Sequence, residues 1–175
     1  MPGSPTDGEG AAPVGGVVAV AVAASDYLWF VDLALGGMAA ILEELGDDLA
    51  NRRPPFRDGN SAYAILTHCL GVVEYWGGAT VAERPVQRDR AAEFTASGEV
   101  AGLLRRTEFA RRRLREDIVG LSAADPPVSV RRDPDDPVPY TETKGAVLLH
   151  ILEELFQHFG QMEITRDTLV AGQRR

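Results

Sequence analysis

A chain of 175 residues, 45% hydrophobic and 25% charged, is the size of one globular domain and carries enough apolar side chains to bury a core. Its 26 acidic against 18 basic residues give a net charge of -8, which argues against a protein that wraps nucleic acid or lies on an anionic membrane. Cys69, the one cysteine, excludes an internal disulfide and any cysteine-cluster metal site, as expected in a reducing cytoplasm.

Residues 14–24 form a run of small and apolar side chains too short to span a bilayer. No Lys or Arg precedes them, as a signal peptide would require, so residues 1–24 read as a disordered leader. A first helix is predicted from Ser25 as N-cap, with Asp26 in its first turn and Leu28, Val31, Leu35, Met38, Leu42, Leu45 and Leu49 on one stripe. Pro54 and Pro55 follow its end. A second helix opens at Asn60 and Ser61 and runs to Gly77 or beyond, with Ala62, Ile65, Leu66, Cys69, Val72, Val73 and Trp76 on its apolar face.

The third predicted helix follows Ser97, has Glu99 in its first turn, and buries Val100, Leu103, Leu104, Leu114, Ile118 and Leu121. Its arginines, Arg105, Arg106, Arg111, Arg112, Arg113 and Arg115, alternate with Glu108, Glu116 and Asp117 and read as a solvated face with local ion pairs. A fourth helix is predicted from near Thr141 to Gly172, with Val147, Leu148, Ile151, Leu152, Leu155, Phe159 and Met162 inward. Phe156 and Leu149 point away from that stripe and suit contact with a second copy, a homodimer. Strand signals are nearly absent, so the expected fold is an all-α four-helix bundle over residues 25–172. The connections after helices two and three are each roughly 15 to 20 residues, long enough for one or both to cross the bundle.

All three histidines, His68, His150 and His158, fall in predicted helices. At about 100° per residue, Glu154 and His158 project from the edge of the fourth helix's apolar stripe, while Glu153 turns to solvent. His68 holds the equivalent edge of the second helix. Glu154 and His158, four apart, stack on one face and can reach a single ion, with His68 as third ligand from a facing helix. Two imidazoles and a carboxylate with one open position suit a catalytic zinc or a non-haem iron(II). A Glu and a His at this spacing equally suit a surface ion pair, and His68 a hydrogen-bonded core-edge histidine. His150 is rotated about 40° further from the stripe and reads as a supporting or surface residue. Cys69 falls in the middle of the apolar stripe and reads as a buried small hydrophobe.

The fourth-helix stretch His150-Ile151-Leu152-Glu153-Glu154-Leu155-Phe156-Gln157-His158-Phe159-Gly160-Gln161 resembles the last helix of the DinB-like metal-binding four-helix superfamily. Ala64-Ile65-Leu66-Thr67-His68-Cys69-Leu70 resembles the segment that carries that family's first ligand histidine. Glu followed four residues later by His is similar to the branch related to mycothiol-dependent maleylpyruvate isomerase, and Gln87-Arg88-Asp89 resembles the arginine-bearing loop of that branch. The resemblance implies a bundle with a crossover and a divalent metal on His68, Glu154 and His158. The metal expected is zinc, with nickel or iron(II) as alternatives. It further implies mycothiol as co-substrate, an electrophilic substrate, and Arg88 gripping an anionic group of that substrate. Gln161, one turn beyond the Glu154 face, is placed to hydrogen-bond a ligand or the substrate. The implied function is a thiol-using transferase or isomerase; a metal-binding bundle without turnover and a metal-dependent hydrolase are the alternatives.

Overall fold

The computed structural model describes residues 21–128 and 142–173. Most of the expected leader, and Thr141, lie outside those residues. All regular structure among the described residues is helical. α1 spans Ala24–Ala50 and buries Val31, Leu35, Met38, Leu42, Leu45 and Leu49 as the period predicts. Two details differ from the expectation. The N-cap is Ala23, with no side-chain cap, and Ser25 already lies in the first turn. Near the other end Gly46 takes φ 62°, ψ 177°, a left-handed value that glycine adopts without a Cβ clash, and breaks the helix one turn before its end.

α2 spans Ala62–Val72, capped by Ser61, whose Oγ accepts from the Ala64 amide at 3.2 Å. It continues as a π-helical segment over Val73–Val81. That wider winding leaves the 100° register on which Trp76 was placed; its Gly77 lies against Leu114, where an added Cβ would come within 2.7 Å. α3 is a single turn, Arg90–Glu93, in which Asp89 Oδ1 accepts from the Ala92 amide at 3.1 Å. α4 spans Val100–Asp117, one turn shorter than expected, so that Ile118 caps it and Leu121 follows it. Its Val100 amide is capped across the bundle by Asp47 Oδ1 at 2.7 Å. α5 spans Lys144–Gln173.

Cross-helix contacts fix the directions. Phe30 meets Phe156 at 6.2 Å between centroids and Glu44 lies 3.7 Å from Arg166, so α1 and α5 run parallel. Asp32 pairs with Arg111 at 2.8 Å while Asp47 caps Val100, so α1 and α4 are antiparallel. Tyr63 packs on Gly98 and Glu74 pairs with Arg106 at 2.9 Å, which makes α2 and α4 parallel. The order is therefore up, down, down, up. Two successive parallel helices oblige residues 82–99 to run back along the bundle, and this return strap, carrying α3, passes beside α2. The arginine face of α4 is solvated and locally paired as expected, through Arg111–Glu108 and Arg113–Glu116, but it also reaches Asp32 and Glu74 on other helices.

One contiguous core lies between the helices. Outside it Trp29, Phe30, Leu33, Leu149 and Phe156 stay exposed on α1 and α5. No helix among the described residues is long and apolar enough to cross a membrane.

Candidate metal centre

α2 and α5 are antiparallel neighbours, and the polar edges of their stripes face each other. His68 from α2 and His158 from α5 each bring Nε2 to 3.3 Å from the same oxygen, Glu154 Oε2. The three predicted ligands thus converge, with one donor atom from each lying within 4.8 Å of the others. Two ligands at about 2.1 Å from a tetrahedral ion stand about 3.4 Å apart, so the two Nε2–Oε2 spacings of 3.3 Å match such an ion.

The far side of each imidazole explains why these atoms face inward. His68 Nδ1 lies 2.8 Å from Glu93 Oε2, and His158 Nδ1 lies 2.8 Å from Gln161 Oε1. Both partners can accept, so a neutral ring that carries its proton on Nδ1 donates to them and keeps its lone pair on Nε2. Two such lone pairs aimed at a carboxylate oxygen repel unless a cation lies among them, whether a proton or a metal. Hydrogen bonds from His158 and then His68 hold the Glu154 carboxyl well below the usual carboxylate range, and the bond to Glu154 raises the His158 imidazole above its ordinary value.

The sign follows by linkage. A raised imidazole contributes stability that is complete below the ordinary value of 6.5 and is lost as pH rises through the folded value. Melting curves of chelator-treated protein are therefore expected to show the advantage of wild type over His158→Ala shrinking as pH rises above that range. An advantage that grew with pH would contradict the pairing.

Around this triad the structure places the other expected residues differently. Gln161 does meet a candidate ligand, through His158 Nδ1. Arg88 directs Nε to Glu93 Oε1 at 2.7 Å and Nη2 to Glu93 Oε2 at 3.0 Å, so two of its donors are engaged within the protein. Of the two readings of His150, supporting or surface, the surface one fails: it is buried, with Trp76 of the π-helical segment against it, edge to face at 5.2 Å. Its Nδ1 bonds Glu153 at 3.0 Å, and its Nε2 lies 3.8 Å from Glu154 Oε1.

Sequence reasoning missed Glu93 and Phe94. Both sit on the return strap, where no periodicity marks an inward side chain. The one local signal is Asp89, a good N-cap three residues before Ala92. Phe94 stacks on His68 with centroids 4.8 Å apart.

The chain matches the mycothiol-S-transferase family over residues 28–171. It belongs to that family. No curated protein and no solved structure matches it. The family is DinB-like, in agreement with the resemblance carried by the His68 and Glu154 segments.

For a thiol-using family a protein thiol beside the centre is a possible competitor, and Cys69 adjoins His68 in sequence. It is fully buried, and burial first, then the charges of Glu154 and Glu93, push its thiol up. Native protein at pH 8 is therefore expected to resist alkylation by iodoacetamide and to take up one equivalent once unfolded in guanidinium. Rapid labelling of the native form would contradict this burial. A cleft of about 580 Å³ is lined by Arg84, Asp117 and Lys144 and borders none of the three candidate ligands. A smaller one of about 260 Å³ lies on the Nδ1 side of His68, beside Arg88 and Glu93.

Proposed function

We propose that this member of the mycothiol-S-transferase family is a metal-dependent thiol transferase in which His68, Glu154 and His158 hold one divalent cation. The observation that carries the reading is the pair of imidazole Nε2 atoms at 3.3 Å from one carboxylate oxygen, with both Nδ1 atoms engaged elsewhere. Zinc suits this donor set best, and nickel or iron(II) are the alternatives it accepts. A divalent cation lowers the pKa of a thiol that binds it toward neutrality, so that a sulfur nucleophile is available at cellular pH.

The protein groups do the holding. Gln161 orients His158 through Nδ1, and Glu154 would offset one of the two charges of a bound divalent cation, leaving room for the charge of one thiolate such as that of mycothiol. Arg88 Nη1 makes no hydrogen bond among the described residues and is the donor left for an anionic group on an electrophilic substrate. The Glu154 and His158 pattern supports the branch related to maleylpyruvate isomerase. The reading also includes a reducing, cytoplasmic setting and a homodimer through the Trp29, Phe30 and Phe156 face. Light scattering that found only monomer at high concentration would remove the dimer.

The direct assay incubates zinc-loaded protein with mycothiol and an electrophilic bimane and follows thioether formation. Transfer that stops with a chelator and returns with zinc is expected. Ester hydrolysis without thiol would favour a metal hydrolase, and bound zinc with no turnover of either kind would leave a binding protein.

A further inference from the structure

We propose that Glu93 is a positioning residue for His68: held by Arg88 on the return strap, its carboxylate keeps the imidazole proton on Nδ1 and aims the Nε2 lone pair at the Glu154 side. The proposal rests on the metal reading only for its consequence, since the geometry concerns this chain's own atoms.

Glu93 is 6% exposed, on a single-turn helix in a connecting segment, where a buried carboxylate is unexpected. A buried ion pair is weak evidence of a stabilising role, because desolvation offsets much of the attraction. Its partners point instead to orientation. Arg88 takes both carboxylate oxygens, and the lone pairs that remain on Oε2 include the one that faces His68 Nδ1 at 2.8 Å. That contact is shorter than the 3.3 Å contact of Nε2 with Glu154 and than the 3.5 Å approach of Arg88 Nη2 to the same Nδ1, which favours the hydrogen of the neutral ring on the Glu93 side. Phe94, the next residue, stacks on the same ring and fixes its plane.

The helix under the strap makes room for this. Gly71 stands one turn beyond His68, and a Cβ there would come within 2.1 Å of Glu93 Oε1 and 3.2 Å of Arg88 Nε. An alanine would therefore push away the carboxylate without touching a candidate ligand. The two imidazoles are also held unequally: His158 leans on a neutral amide, His68 on an anion. A carboxylate partner makes the opposite ring nitrogen a stronger donor, and such partners are worth 10–100-fold in metal affinity.

The test uses the full chain in two forms. In chelator-treated protein above the imidazole titration range, nitrogen-proton correlation spectra of His68 are expected to show the Nδ1–H tautomer, and Glu93→Ala is expected to convert it to Nε2–H. With zinc as the probe, Glu93→Ala is expected to weaken binding about 100-fold and Glu93→Gln, whose amide oxygen still accepts, about 10-fold. Gly71→Ala is expected to fall in the same range. Circular dichroism checks folding, and should Glu93→Ala fail to fold, the Gln and Gly71→Ala variants decide. An Nε2–H tautomer in wild type, or zinc affinity unchanged in both Glu93→Gln and Gly71→Ala, overturns the assignment. Were wild type to bind no zinc, the metal reading would fall, and the tautomer alone would decide the role of Glu93.

Discussion

Alanine at His68 or at His158 is expected to strip the protein of its metal while leaving it folded. Zinc sites with four protein ligands contribute roughly 10–16 kcal/mol, or about 3 kcal/mol per ligand, so loss of one imidazole weakens binding by at least about 100-fold. Metal content after dialysis against a weak chelator should fall from one ion per chain to a small fraction. The fold should survive His158→Ala best, because that side chain is 20% exposed against 4% for His68 and leaves little cavity. Elemental analysis beside circular dichroism reads both quantities. Variants that kept a full complement of metal would place the site elsewhere.

Leu155→Ala is expected to do the reverse. Leu155 lies between Glu154 and His158 on α5 but points into the core and is fully buried. Truncating a buried leucine costs about 2–5 kcal/mol, and for a chain of this length each kcal/mol lowers the melting temperature by about 2–4 °C. A drop on the order of 10 °C follows. Zinc affinity of the folded fraction should change by less than about tenfold, because no ligand or ligand partner is altered. Calorimetry and zinc titration at a temperature well below the transition separate the two effects. A Leu155→Ala protein with wild-type melting would contradict the packing, and one that lost its metal while folded would join the core to the site more tightly than the geometry does.

These opposite outcomes, from Leu155 and His158 three residues apart on α5, reflect what periodicity can and cannot say. The spacing of Glu154, Leu155 and His158 around a helix follows from 3.6 residues per turn, so the inward leucine and the two edge residues were legible. The same rule placed the α1 stripe and the buried Cys69. It failed where the backbone leaves that period. The π-helical segment after Val72 carries Trp76 over His150, so a histidine that read as a supporting or surface residue is buried. Glu93 was beyond reach for another reason: it lies 25 residues from His68, and only the return strap brings them together. The need for a crossover was readable from connection length. Which side chain it delivers was not.

In the proposed reaction a cation bridging α2 and α5 would receive the sulfur of a small thiol. The most direct measurement replaces zinc with cobalt(II) and records the absorption spectrum as mycothiol is added. A thiolate-to-cobalt charge-transfer band that saturates with mycothiol, and that is absent from the His158→Ala protein treated in the same way, is the predicted result. Cobalt bound at one equivalent with a spectrum indifferent to mycothiol would contradict it.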